Sequence, residues 1–195
     1  LGALEEKGSP WSLTAGVTFA DGTRRVLARG LDRSSSAPTV PGPLPAVVQE
    51  LRRAGAREVE VITHGQMLPP RLLVESVREA GVDMLTFQLF GHDDRTHDTL
   101  AGSPGAFEQT MATLNSLAGM RSRPGATQIA LLIVAAAPNA RSLHAVPRLA
   151  SELGVDEIRI AVGARGIDLV DPEGMGACIQ GTLESAAQLC VPAHA

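Results

Sequence analysis

The chain has 195 residues, of which 44% are apolar and 19% charged, and its formal net charge is −4. That length predicts one domain, residues 1–195, with a core large enough to fold without disulfides. An acidic balance, four Phe, one Trp and no Tyr argue against nucleic acid as a partner. The two cysteines, Cys178 and Cys190, favour a reducing cytoplasmic location. The longest apolar run, residues 129–137, is too short to span a bilayer, so no membrane partner is expected.

The N-terminal region is predicted to form a β-hairpin followed by a loop. Segments 13–20 and 24–29 have strand character and flank Asp21-Gly22, a dipeptide typical of tight turns. The segment after them is rich in Ser, Pro and Gly. We therefore expect a hairpin within residues 1–30 and a flexible loop over residues 31–45.

Helical and strand patterns alternate through the rest of the chain. Strands are predicted over residues 58–63, 83–90, 127–137 and 156–162, and a long polar loop over residues 91–105. Apolar faces at helical spacing predict helices that begin near residues 44, 69, 107, 143 and 171. This alternation predicts an α/β fold with a parallel sheet, whose ligands gather beyond the carboxyl ends of the strands.

A set of spaced matches resembles the radical S-adenosylmethionine (radical SAM) superfamily over about residues 57 to 162. Thr63-His64-Gly65 stands where the family has a strand ending in Thr-Asn-Gly, and a Gly-Val-Asp turn follows at residues 81–83. The family's polar loop is matched by His97, Asp98, Gly102, Gly105 and Phe107, and its next βα unit by Asn139, Leu143 and residues 153–155. The resemblance implies a shortened parallel (βα) barrel, or a curved parallel sheet, with the hairpin at its N-terminal side.

The same resemblance implies a ligand pocket but not its iron–sulfur cluster. The family holds a [4Fe–4S] cluster with a Cys-x-x-x-Cys-x-x-Cys loop, whereas this chain has no cysteine before Cys178. The family's Gly-Gly-Glu-Pro segment aligns with residues 29–32, where one glycine remains, and a SAM-facing Ser aligns with Gln88. S-adenosylmethionine (SAM) is a possible ligand, and a cluster is not expected. The residues that the resemblance places at the pocket are Gly30, His64, Gly65, Gln88, Asn139 and Arg159.

Several of these side chains also have a structural interpretation. His92, Asp94 and His97 are weak candidates for a metal site, but Asp and Thr in such a loop commonly cap a short helix. His64 is either a ligand contact or a general base, or else a residue bonded to backbone. Arg159 alternates with two isoleucines, and its side chain points either into the barrel or outward.

Three functions remain open at this stage. The leading one is a cluster-less, non-redox pseudoenzyme with an accessory or regulatory role, which binds a small ligand or a protein partner. Its exposed sheet edge predicts a homo-oligomer or a complex with a complete enzyme. The second is a fragment of a true radical SAM oxidoreductase or maturase whose cluster motif lies upstream. The third is a hydrolase or isomerase that uses a metal or His64 on the same barrel.

Overall fold

The computed structural model describes residues 14–18, 24–29, 44–66, 69–118, 126–162, 172–189 and 193–194. Its strands are β1 (Thr14–Thr18), β2 (Arg24–Arg29), β3 (Glu58–Thr63), β4 (Met84–Leu89), β5 (Gln128–Ala135), β6 (Glu157–Val162) and β7 (Ala193–His194). Its helices are α1 (Leu44–Arg53), α2 (Pro70–Ala80), α3 (Asp94–Ala101), α4 (Ala106–Ala118), α5 (Val146–Leu153) and α6 (Pro172–Gln188), with a 3-10 helix over Ala140–Ala145.

The strands form one sheet in the order β2-β1-β3-β4-β5-β6-β7. Its parallel part has four strands, and β7 adds a two-residue parallel pairing with β6. This confirms the α/β class and the partial-barrel type predicted from the sequence. The chain divides into two compact units, residues 1–86 with 112–128 and residues 87–111 with 129–195. The single domain over residues 1–195 stays a prediction.

The predicted N-terminal hairpin is present, and it occupies the sheet position beside β3. β1 pairs antiparallel with β2 and, on its other side, antiparallel with β3 from Thr14↔Ile62 to Thr18↔Glu58. The register between β1 and β2 shifts between Thr14 and Gly16, which is the signature of a bulge. β1 therefore separates β2 from the parallel strands. The predicted loop 31–45 lies outside the described residues except for Leu44 and Pro45, which already belong to α1.

In the first unit, a Gly-Val-Asp turn joins α2 to β4. Gly81 ends the helix in the left-handed conformation (φ 67°), which glycine adopts without strain, and Val82 is buried. Asp83 then closes the ladder to β3: its N–H donates to the carbonyl of Val59, and its carboxylate accepts from the Val59 N–H at 2.6 Å.

In the second unit, a second Gly-Val-Asp turn joins α5 to β6 in the same way. Gly154 has φ 62°, and Val155 is buried. Asp156 donates to the Ile129 carbonyl, and its carboxylate accepts from the Ile129 N–H, both at 2.8 Å. In each copy an aspartate accepts from the backbone N–H of the second residue of the neighbouring strand. The same three-residue sequence therefore ends a helix and fixes the start of a strand.

Burial follows the strand alternation in each unit. In β3, Val59 and Val61 are 1% and 0% exposed and form the apolar face. In β6, Ile158 and Ile160 are buried on one face. β5 is buried at six of its eight positions, as expected for a strand that is covered on both faces.

One sequence prediction of secondary structure is wrong, and one short strand was not predicted. The polar loop over residues 91–105 contains α3, because Asp93 caps the helix by accepting from Thr96 N–H and Gly102 ends it at φ 65°. Apolar periodicity could not reveal this helix, since His97 is its only fully buried residue. The two-residue strand β7 was not predicted and is too short to carry a pattern.

Candidate functional site

The turn after β3, in the first unit, is fixed by hydrogen bonds between Gly65 and two threonines. Gly65 has φ 74°, a left-handed backbone that favours glycine. Its N–H donates to Thr63 Oγ1 at 3.0 Å, and its carbonyl accepts from Thr113 Oγ1 on α4 at 3.0 Å. His64 is half-buried between these anchored residues. The Thr63-His64-Gly65 sequence thus builds a defined turn at the carboxyl end of β3 that holds His64 in place.

In the second unit, side chains bind both backbone groups of Phe90, the residue that follows β4. The Phe90 N–H donates to His97 Nδ1 at 3.2 Å, so the neutral ring carries its proton on Nε2. The Phe90 carbonyl accepts from Asn139 Nδ2 at 2.7 Å. His97 and Asn139 are both fully buried. The imidazole of His97 and the amide of Asn139 therefore fix the backbone at Phe90, where the chain leaves β4.

Asn139 also fixes the end of β5. Its second amide hydrogen goes to the Val134 carbonyl at 2.7 Å, and its Oδ1 accepts from the Ala136 N–H at 2.8 Å. Both hydrogens of the amide are thus used within the protein. This geometry favours a positioning role for Asn139 at the pocket that the resemblance implies.

Asp98 organises the segment between α3 and α4. Its carboxylate accepts from the Gly105 N–H at 2.5 Å and from the Phe107 N–H at 2.8 Å, near the start of α4. The His97 ring lies between Phe90 and Phe107, with centroids 5.8 Å away on each side. The residues that carry the family resemblance in this loop therefore form one packed and hydrogen-bonded unit.

The start of α3 packs closely against the strand end. A Cβ placed on Gly91 would lie 2.6 Å from Thr96 Cβ and 3.2 Å from the His97 backbone nitrogen, so only glycine fits without movement. The Thr96 N–H, which donates to Asp93 at 2.7 Å, lowers the pKa of the Asp93 carboxyl, and the charges of His92 and Arg95 act in the same direction. His92 Nε2 lies 3.3 Å from the Asp93 carboxylate.

The geometry around the weak metal candidates points to structural roles. His97 uses Nδ1 to accept from backbone, Asp94 is exposed at the first turn of α3, and His92 pairs with Asp93. Within the part of the chain that the structure describes, no three His, Cys, Asp or Glu side chains are grouped to hold a metal ion.

Arg159 lies on the face of β6 opposite to Ile158 and Ile160. Its Nε donates to Glu157 Oε1 at 2.6 Å and its Nη2 to Oε2 at 3.3 Å, and both side chains are about one-fifth exposed. The register puts Leu132 of β5 directly opposite Arg159. Arg159 therefore presents a guanidinium beside apolar surface, an arrangement suited to a ligand carboxylate or phosphate.

The remaining predicted pocket residues are placed as follows. Gln88 lies in β4 of the second unit and is half-buried. Gly30 lies outside the described residues.

Sequence reasoning missed Glu60, a carboxylate on β3 that is only 6% exposed and accepts from Thr86 Oγ1 at 2.6 Å. Its alternation with valines resembles that of a solvent-facing charge, so the sequence carried no indication of its burial.

The residues of this chain do not fit a [4Fe–4S] cluster held in the family's manner. Such a cluster needs three closely spaced thiolates. The sequence has two cysteines twelve residues apart, and the first of them, Cys178, lies within α6 with a half-buried side chain. A helix that carries one thiol cannot replace a three-cysteine loop.

Comparisons with known proteins agree with the resemblance in the sequence. No family model matches the chain. The AdoMet-dependent heme synthase of Methanosarcina barkeri (strain Fusaro / DSM 804) is 44% identical over 64 residues, which are 33% of this chain and 18% of that protein. This chain therefore corresponds to less than a fifth of that relative's length.

The fold is similar to that of Streptococcus suis SuiB, whose structure was solved with the precursor peptide SuiA bound. The TM-score is 0.53 at 9% identity, and the match covers 84% of this chain and 43% of SuiB. Both relatives are radical SAM proteins. These matches in sequence and in fold confirm the resemblance of this chain to the radical SAM superfamily. Among the helices in the described ranges, none combines the length and apolarity needed to cross a membrane.

Proposed function

We propose that this chain is a radical SAM-type protein that binds a small ligand or a protein partner without carrying its own [4Fe–4S] cluster. The observation that supports this is the pairing of β1 with β3. Where the family continues its parallel barrel toward the cluster-bearing strand, β3 here pairs with an antiparallel hairpin strand. β2, which aligns with the strand of the family's SAM-binding Gly-Gly-Glu-Pro segment, lies one position further from β3. This pairing supports the proposal that the edge used for cluster and SAM chemistry in the family is rebuilt here.

Reconstitution with iron and sulfide tests the absence of a cluster. The protein is incubated anaerobically with both, desalted and assayed for iron, for sulfide and for 5′-deoxyadenosine after reduction with SAM present. We expect background iron and no SAM cleavage, and the same values for a Cys178→Ser/Cys190→Ser variant. A stoichiometric cluster with SAM cleavage, lost in the cysteine variant, would contradict the proposal.

For the small ligand, Arg159 is the side chain proposed to make direct contact. A guanidinium that already holds a carboxylate in two-point geometry can bind a second anionic group of a ligand such as SAM. Calorimetric titration with SAM should show weaker binding for Arg159→Gln. Arg148→Gln is the matched control, because Arg148 also pairs with a glutamate, Glu152, but on the exposed side of α5. Equal SAM affinities for the two variants would show that Arg159 does not contact the ligand.

For the protein partner, the sheet edge at β2 is the proposed contact. An edge strand presents backbone N–H and C=O groups that can pair with another chain, either a second copy or a complete enzyme. SuiB, a structural neighbour, was solved with its precursor peptide bound. Light scattering after size-exclusion chromatography is expected to show a dimer for this chain alone, or a monomer that forms a complex only with a complete radical SAM partner.

We further propose a cytoplasmic location and no nucleic-acid partner.

A second candidate is favoured by the sequence match to an AdoMet-dependent enzyme. Identity of 44% over 64 residues is compatible with a piece of a radical SAM enzyme that carries its cluster elsewhere in a longer polypeptide. The genomic reading frame that encodes this chain discriminates the two. A Cys-x-x-x-Cys-x-x-Cys motif in the same polypeptide would favour the enzyme, and its absence would favour the cluster-less protein.

A further inference from the structure

β2 lies at one edge of the sheet, and within the described residues no strand pairs with its outer side. Its inner side pairs antiparallel with β1. Alternate backbone N–H and C=O groups of an edge strand point away from the neighbouring strand, so they can pair with a further strand. β2 has six residues, which in extended form span about 20 Å. This length is sufficient to pair with a partner segment of similar size.

The sequence of this edge strand is basic in a protein that is acidic as a whole. Half of the residues of β2 are arginines, namely Arg24, Arg25 and Arg29, and β2 has no acidic residue. β1 is uncharged, and Asp21 is the one acidic residue in the segment between the two strands. The whole chain has a formal net charge of −4. The hairpin therefore forms a local concentration of positive charge, which determines the partner strands that it favours.

A second copy of this chain is a poor partner for β2. If two β2 strands paired antiparallel over their full length, Arg24 of each copy would stand opposite Arg29 of the other. Like charges directly opposite each other on neighbouring strands are destabilising. The strand at the other end of the sheet order, β7, consists of Ala193 and His194 and offers no carboxylate. A strand that complements β2 must therefore come from a different, negatively charged chain.

We propose that β2 binds an extended acidic segment of a protein partner, which adds to the sheet as a further strand. This rests on the proposed function, because it names the chemistry of the partner that contacts the edge at β2. Backbone hydrogen bonds supply the strand pairing. Arginine supplies the preference for acidic residues, since a guanidinium can donate two parallel hydrogen bonds to one carboxylate. The expected segment is rich in Glu or Asp and in β-branched residues, which favour the extended conformation.

The test compares three short peptides with blocked termini. Thr-Glu-Val-Glu-Val-Glu-Thr is acidic, and Thr-Gln-Val-Gln-Val-Gln-Thr is its neutral match. Thr-Glu-Pro-Glu-Pro-Glu-Thr keeps the charge but contains prolines, which disfavour strand pairing. Binding is followed by the backbone amide resonances of isotopically labelled protein.

The acidic peptide should shift the amide resonances of β2 and bind about tenfold more tightly than the neutral one, because several cross-strand charge pairs act together. The proline peptide should not bind. Salt at about 0.5 M should weaken binding of the acidic peptide and leave that of the neutral peptide unchanged, since it screens exposed charges.

Two variants and a matched control assign the preference to β2. Arg24→Gln/Arg29→Gln should bind the acidic peptide only as tightly as the neutral one. Arg24→Glu/Arg29→Glu should reverse the preference and favour Thr-Lys-Val-Lys-Val-Lys-Thr. The control, Arg71→Gln/Arg78→Gln, removes the same charge from exposed positions of α2 in the same unit and should bind as the wild type does. Circular dichroism checks that each variant is folded. If the β2 variants do not fold, the peptide preference of the wild type and its salt dependence decide the question.

The outcomes are distinguishable. Equal binding of the acidic and neutral peptides would overturn the preference for an acidic partner. Equal binding of the proline peptide, or shifted amides outside β2, would overturn strand addition. If no peptide binds at millimolar concentration, or if this chain forms a dimer through β2, the inference fails, whereas a complex detected by light scattering would leave the proposed function standing. A reconstituted cluster that cleaves SAM would overturn the proposed function and leave the peptide comparison unaffected.

Discussion

The carboxylate of Asp83 accepts a hydrogen bond from the backbone N–H of Val59 at 2.6 Å, while the Asp83 N–H donates to the Val59 carbonyl at 3.0 Å. One residue thus satisfies both backbone groups at the start of the neighbouring strand. Asp156 and Ile129 repeat the arrangement in the second unit. The strand starts of a βα sheet are in this way fixed by the residues that follow each helix.

Replacement of these aspartates should reduce stability without altering ligand binding. We expect Asp83→Ala and Asp156→Ala to lower the free energy of unfolding by about 1–2 kcal/mol each, since each leaves a backbone N–H without its acceptor. Asp83→Asn and Asp156→Asn keep an acceptor oxygen and should lose less. Urea denaturation measures all four. Equal losses for the Ala and Asn variants would show that charge, and not the hydrogen bond, is responsible.

Asn139 is expected to be among the most sensitive polar residues of the second unit. Asn139→Ala removes three hydrogen bonds, two of them buried and one partly buried, that join Phe90, Val134 and Ala136, for an expected loss of about 2–4 kcal/mol. Asn139→Asp should be at least as damaging, because it sets carboxylate oxygens against two carbonyls. A stability within 0.5 kcal/mol of wild type, roughly the range of an ordinary surface change, would refute the positioning role.

Ser76 offers a stabilising substitution. Its hydroxyl is fully buried on α2 and is without a hydrogen-bond partner in the described structure. Ser76→Ala removes this polar burial and also improves helix propensity, so thermal denaturation should show a higher melting temperature. Ser116→Ala on α4 gains the same propensity from an exposed site, where its hydroxyl donates to the Ala112 carbonyl. Ser76→Ala should gain about 1 kcal/mol more than Ser116→Ala, and equal gains would contradict the cost assigned to the buried hydroxyl.

The free energy of unfolding should depend on pH in a way that reveals the contribution of the Asp93 N-cap of α3. The Thr96 N–H holds the pKa of Asp93 below its ordinary value of 3.8, with help from His92 and Arg95. Because the folded pKa is the lower one, the stabilisation is complete above pH 3.8 and is lost as pH falls through the folded value. Urea denaturation from about pH 6 down to about pH 2 should show a smaller acid loss for Asp93→Asn than for wild type. Identical pH profiles would exclude this contribution.

Local structure was largely predictable because its causes are local. α2 begins at Pro70, next to the predicted start near residue 69, and Gly81 and Gly154 end their helices, because cap chemistry depends on a few adjacent residues. The helix α3 was missed because side-chain caps, and not an apolar face, determine its ends.

The site was less predictable because it depends on contacts between distant residues. Glu60 and Thr86, which are hydrogen-bonded, are 26 positions apart in the sequence. The pairing of β1 with both β2 and β3 is likewise not encoded by any local pattern. The resemblance correctly identified the loop with His97 and Asp98. It could not show that these side chains bind backbone groups within the protein.

The strand pairing beside β3 can be measured directly in solution by nuclear magnetic resonance. In antiparallel pairs without mutual hydrogen bonds the Cα atoms lie only about 4.5 Å apart, which brings their α-protons into close contact, whereas parallel strands lack this contact. A labelled sample should therefore show cross-strand α-proton contacts at alternate pairs between Thr14–Thr18 and Glu58–Ile62. A parallel pattern along β3, or contacts from β2 to β3 with none from β1, would contradict the account of a rebuilt edge.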